Sequence, residues 1–180
     1  MQKVNIPEGI CGDYKIERFT TDRTDWSALK SGRSVPIGES FTRLMHKGNL
    51  IMSDTPAEQR DHMLPVFRAG GSCLINGLGI GMVLHNILLK DCVTDVTVIE
   101  ISEEVIKLVG PSYTSDPRVT IIQANALEYK PPKGKRYRMV WHDIWPSICE
   151  ANLPSMMTLH RKYGRRCDWQ GSWARELIRR

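Results

Sequence analysis

From Ser72 onward, short apolar runs of strand length alternate with segments of helical spacing, and the first run leads straight into a cluster of glycines. Cys73-Leu74-Ile75 is followed by Asn76-Gly77-Leu78-Gly79-Ile80-Gly81, and Met82–Leu89 then places its apolar residues on one helical face. Val96–Ile99, Val119–Ile122 and Tyr137–Trp141 supply three more runs. Ser102, with Glu103 and Glu104 behind it, predicts a capped helix between the second and third. Such alternation predicts an α/β chain with a parallel sheet covered on both faces. Ligands of these sheets bind beyond the carboxyl ends of the strands, where the strand order reverses.

The N-terminal part reads differently. Tyr14–Phe19 alternates as a short strand, and Phe41–Met45 and Leu50–Met52 flank a glycine-containing turn, predicting a β-hairpin. Thr55, Pro56 and Glu58 have the spacing of a capping box. That helix should run toward Phe67, with Pro65 marking a kink, and stop near Gly70-Gly71. A last helical pattern extends from about Ser147 to Lys162. No apolar run follows it, so the sheet is expected to be truncated after its fourth core strand. Three segments result: 1–69 with the hairpin and a lead-in helix, 70–162 as the core, and 163–180 as a basic, Trp-containing arm.

Composition narrows the classes. No stretch approaches the roughly 18 uncharged apolar residues of a membrane span, and the first residues lack the apolar centre of a secretory signal. The cysteines are five and widely separated, which argues against a disulfide framework or a zinc ribbon and for a reducing, cytoplasmic setting. His142, Cys149, His160 and Cys167 have no recognised ligand spacing, so no metal is expected. The net charge of +5 is unevenly spread: residues 130–180 hold 12 Lys/Arg against 4 Asp/Glu, and residues 1–129 hold 13 against 16. A basic last third can serve a polyanion such as nucleic acid or be a solvated face.

Four strand ends carry side chains suited to chemistry. The glycines permit a tight turn and close approach of backbone to a ligand, but their Gly-x-Gly-x-Gly spacing is neither a dinucleotide fingerprint nor a phosphate loop. Glu100, at the tip of the second run, can accept both hydroxyls of a ribose. Asn125, after the third, offers a donor and an acceptor to an adenine edge, or simply makes a turn. Asp143, after the fourth, can orient an amine, serve as general base or cap the next helix; Trp145 and Pro146 can wall a flat substrate. His142 reads as a buried histidine with satisfied nitrogens.

Together these motifs resemble the class I S-adenosylmethionine-dependent methyltransferases over roughly residues 70–150. The sequence is most similar to the spermidine-synthase-like branch and to short methyltransferase-like proteins of tailed phages. Val98-Ile99-Glu100-Ile101-Ser102 resembles that branch's Val-Val-Glu-Ile-Asp, and His46–Ser53 its leading strand pair. The resemblance implies a Rossmann-like fold and S-adenosylmethionine as cofactor. Gly77, Gly79 and Gly81 would approach its methionine part, Glu100 its ribose hydroxyls, and Asn125 and Ala126 its adenine; Asn76, Leu78 and Ile101 would also belong to the cofactor site. Asp143 would be catalytic, beside the sulfonium. The departures are Asn76 and Asn125 where the branch carries acids, a single acid (Asp143) in the place of Asp-Ser-Ser-Asp-Pro, and Asp61-His62-Met63 in the place of Tyr-His-Glu. They point away from aminopropyl transfer and toward methyl transfer to an unidentified acceptor, a nucleic acid base being favoured by the basic tail. The alternative is a degenerate, non-catalytic cofactor-binding protein. A short sheet also suggests a homo-oligomer that completes it. The setting is the cytoplasm, that of the host for a phage-encoded chain.

Overall fold

A computed structural model of the chain describes residues 1–23 and 26–178. The N-terminal part forms an antiparallel meander of β1 (Gly9–Cys11), β2 (Tyr14–Phe19), β3 (Phe41–His46) and β4 (Asn49–Ser53), with helix α1 (Trp26–Lys30) between β2 and β3. The expected hairpin is β3–β4. Its turn is Lys47-Gly48, both at positive φ (50° and 80°), the twist that two-residue hairpins prefer.

The lead-in helix is two helices, α2 (Pro56–Asp61) and α3 (Met63–Arg68), broken at His62 and not at Pro65. Pro65 lies in the first turn of α3, where a missing N–H costs nothing. The capping box does not form. Thr55 takes the cap position, but its hydroxyl pairs with Ser53 Oγ at 3.1 Å, and Glu58 turns toward Arg33.

The expected α/β core follows as β5 (Gly71–Asn76), α4 (Met82–Leu88), β6 (Val93–Glu100), α5 (Glu103–Val109), β7 (Val119–Gln123), β8 (Tyr137–His142) and α6 (Leu153–Tyr163). Ser102 caps α5 by accepting the Val105 N–H at 3.1 Å. α6 starts six residues later than its apolar pattern suggested, after a 3-10 turn over Glu150–Asn152.

The truncation comes one strand later than expected. Cys167–Ser172 is a fifth strand, β9, parallel to β8, followed by α7 (Arg175–Ile178). The sequence hid β9 because it is polar and lies at the sheet edge. Its neighbours hold it there: Trp169 stacks on Trp141 of β8 (centroids 6.3 Å, planes 8° apart), and Gln170 bonds both His142 and the His160 carbonyl. Part of the expected arm is therefore sheet.

The strand order is β7-β6-β5-β8-β9, all parallel. It reverses between β5 and β8, which fixes the crevice. Alternate residues feed two cores. Cys73, Ile75, Val96, Val98, Met139 and Trp141 pack with α3, α4, α5 and the meander, whereas Leu74, Ile99 and Val140 pack against Leu159 and Tyr163 of α6. Met52 of β4 and Leu44 of β3 belong to the first core, so the meander is fastened to the sheet beside the crevice. No helix of the described residues is long and apolar enough to cross a membrane.

Candidate active site

The site is built from the glycine turn outward. Gly77 leaves β5 at φ +97° and donates its N–H to the Ile99 carbonyl at 2.8 Å. A Cβ there would lie 2.0 Å from the Asp143 carbonyl oxygen, so only glycine lets the tips of β5 and β8 meet. Gly79 is as constrained: φ is +51°, and a Cβ would fall 2.5 Å from Met52 Sδ.

Glu100 ends β6 with a buried side chain. One carboxylate oxygen accepts the Leu78 N–H at 2.8 Å and the other the Ser102 N–H at 2.9 Å. The carboxylate thus ties the glycine turn to the start of α5. Each oxygen keeps further acceptor capacity toward the cavity it lines.

Asp143 follows β8 and extends the pairing with β5, its N–H donating to the Asn76 carbonyl at 2.8 Å. Its carboxylate accepts from His62 Nε2 at 2.7 Å, while His62 Nδ1 donates to the Glu58 carbonyl at 2.8 Å. Both partners only accept, so the ring must carry both protons. Burial works against that charge, the His62 side chain being 1% exposed. The Asp143 carboxylate and the two hydrogen bonds outweigh burial and raise its pKa to about 9. Burial also pushes the Glu58 carboxyl up, against the opposing charges of His62 and Arg33.

These groups face one cavity of about 380 Å³. Trp145 and Pro146 form part of its wall, and Trp145 is fixed by its indole N–H donating to Ser155 Oγ at 2.8 Å. Tyr14, His46 and Met52 of the meander close another side. Among the described residues, Glu58, His62, Glu100 and Asp143 line the cavity, and no lysine or arginine does.

No protein-family model and no curated protein matches the sequence. Solved structures do. The N-methyltransferase NodS of Bradyrhizobium japonicum WM9 superposes with a TM-score of 0.50 at 12% identity, over 63% of this chain and 64% of NodS. Its complex with S-adenosyl-L-homocysteine gives the same TM-score at 13% identity, over 63% of this chain and 58% of that one. The chain has the Rossmann-like class I methyltransferase fold. Spermidine synthase from Thermotoga maritima is also matched, at 20% identity and a TM-score of 0.48, over 75% of this chain and 46% of that one. The chain spans between 46% and 64% of the length of these structures. No comparison supports the resemblance to phage proteins.

Within this fold, Gly77, Gly79, Glu100, Ile101, Asn125, Ala126 and Asp143 line the same cavity. Three other residues expected to bind cofactor do not. The Asn76 side chain is wholly buried and donates to His142 Nδ1 at 2.7 Å, because the last residue of β5 faces its β8 neighbour. Leu78 buries its side chain and contributes only the N–H that Glu100 accepts. Gly81 caps α4 under the Tyr113 ring. Asn125 lines the cavity but spends its amide locally: Oδ1 accepts the Leu127 N–H at 2.9 Å and Nδ2 donates to Glu128 at 3.1 Å. These bonds make the turn that its alternative reading expected. Asp143 caps no helix. His142 is the satisfied buried histidine expected; burial depresses its pKa to about 3, and Nε2 bonds Gln170 at 3.2 Å.

His62 and Glu58 were not singled out as site residues from sequence. Their four-residue spacing places both on one face of a helix, but the partner that gives His62 its charge lies 81 residues away. Trp173, in the tail, also reaches the cavity wall.

Proposed function

We propose that this chain is an S-adenosylmethionine-dependent methyltransferase whose acceptor is a nitrogen that attacks in its neutral form, in a molecule that is itself neutral or cationic. The observation that carries the reading is the single cavity in which the glycine turn, the pinned Glu100 carboxylate and the His62–Asp143 pair meet. Its volume lies within the roughly 300–1,000 Å³ of small-molecule sites. The residues present suit the cofactor. Gly77 and Gly79 bring backbone to the cavity wall without side chains of their own, and Glu100 offers spare lone pairs for ribose hydroxyls. The His62 charge is balanced by Asp143, so Glu100 and Glu58 leave an acidic excess among the described lining residues, which suits a cationic ligand and disfavours a phosphate.

When bound, S-adenosylmethionine supplies an activated methyl group on a sulfonium. The protein's own part is alignment and exclusion of water. Asp143, oriented by His62, can accept a hydrogen bond from the acceptor nitrogen on its second oxygen. Trp145, held by Ser155, can flank a flat or aliphatic acceptor. Glu58, a desolvated carboxylate on the same cavity, can take a proton from the acceptor.

Calorimetric titration with S-adenosylmethionine and S-adenosylhomocysteine tests the cofactor. Micromolar binding is expected, weakened in Glu100→Gln. Product analysis with a panel of amines, nucleobases and proteins tests the reaction. Release of S-adenosylhomocysteine, lost in Asp143→Asn with cofactor binding retained, is expected. Binding of neither ligand would overturn the reading. Methylthioadenosine as product would replace it by aminopropyl transfer. The alternative is a non-catalytic protein that binds the cofactor in the same cavity. Binding without turnover on the whole panel would select that alternative.

A further inference from the structure

The charge of this chain is sorted to opposite ends of the parallel sheet. The cavity at the carboxyl ends is lined by three carboxylates. At the amino ends of β8 and β9 lies an open cleft of about 570 Å³, lined by Lys135, Arg136, Arg161, Lys162, Arg165 and Arg166 and, among the described residues, by no carboxylate. The loop leading to β8, the last turn of α6 and the loop leading to β9 bring these six together, though they lie on two stretches of sequence.

Half of them hold the fold. Lys162 donates to the carbonyls of Ala126, Leu127 and Tyr129 at 2.7–2.9 Å. Lys135 pairs with Asp95, and Arg136 bridges the Arg165 carbonyl and Asp168. Arg161, Arg165 and Arg166 have no carboxylate partner among the described residues. Lys130 and Lys133, exposed on the loop beside them, form no ion pair there either.

We propose that this cleft docks the phosphate backbone of a nucleic acid, apart from the cofactor cavity. Arginine's planar fork suits phosphate oxygens, and cations spread along an open cleft suit a chain of phosphates better than a single one. The lining offers no apolar side chain for insertion into a bilayer. It presents neither tryptophan, tyrosine nor phenylalanine for base stacking, so recognition is of the backbone and independent of sequence. The six residues of β8 separate cleft from cavity by about 20 Å. The cleft therefore anchors the protein, and the carboxylates at the far end repel the same polyanion.

The test is fluorescence anisotropy with short labelled duplex DNA and duplex RNA, without cofactor, over a series of salt concentrations. Wild type should bind both duplexes, with affinity falling steeply as salt rises. The triple variant Arg161→Gln, Arg165→Gln, Arg166→Gln should bind at least about tenfold more weakly, with a logarithmic salt slope smaller by about 3. Its circular dichroism spectrum and melting temperature should match wild type. Absence of binding, or unchanged affinity and salt slope in the folded triple variant, would overturn the proposal. So would binding to phosphatidylserine vesicles but not to either duplex. Because no cofactor is present, failure here leaves the methyltransferase reading untouched.

Discussion

The His62–Asp143 pair should make stability fall in mild alkali. An exposed histidine in the unfolded chain loses its proton near pH 6.5, whereas His62 in the folded protein keeps it to about pH 9. Between these values the folded state holds one proton more than the unfolded state, so stability falls as pH rises, by about 1.4 kcal/mol per pH unit. The full contribution is present below pH 6.5 and is lost as pH passes through about 9. Over the window it amounts to about 3 kcal/mol, a large share of a typical domain's stability. The assay is urea unfolding from pH 5 to 9.5 at fixed ionic strength, for wild type and His62→Gln. The variant should be less stable than wild type at pH 6, and the difference should close as pH approaches 9. A gap that persists unchanged to pH 9.5 would show that His62 acts by packing rather than by charge, and would refute the reasoning. His142 acts in a separate window. Its depressed pKa means that stability present above pH 6.5 is lost as pH falls toward 3.

Gly77→Ala should destabilise the fold by about 2–5 kcal/mol, summing positive-φ strain and overpacking, because its Cβ would sit 2.0 Å from the Asp143 carbonyl; thermal melting measures it. Glu100→Gln keeps one acceptor of two for the N–H groups of Leu78 and Ser102. It should cost about 1–3 kcal/mol in unfolding and weaken cofactor binding in calorimetry at least tenfold by about 1.4 kcal/mol or more. Lys162→Met removes the ammonium that gathers the carbonyls of Ala126, Leu127 and Tyr129. A loss of about 2 kcal/mol is expected, together with faster amide exchange over residues 125–129, since that segment borders the cavity.

Local rules made much of the core legible. A strand run followed by glycines, a serine with two glutamates behind it, and a glycine-containing turn between two apolar runs each have a local physical reason, and each appears where its residues stand. That Gly77, Gly79, Glu100 and Asp143 would meet at one cavity was legible because any parallel α/β sheet gathers its strand tips at one end. Asn76 and Leu78 lie off the cavity lining because adjacency in sequence does not say which way a side chain turns. Asn76 ends a strand and faces His142, while its neighbour Gly77 already belongs to the cavity.

What the sequence by itself determined is the period of its apolar residues and the positions that demand glycine, and these specify strands, helices and turns through local sterics and burial. What only the tertiary structure decided depends on which strands lie side by side. Placing β8 next to β5 brings Asp143 to His62 and gives that histidine a charge no local pattern encodes. Placing β9 beside β8 makes a strand of a polar segment through one tryptophan stack and the hydrogen bonds of Gln170. The same packing carries the basic residues of the last third away from the cavity, because charges separated in sequence are sorted by the ends of the strands to which they attach.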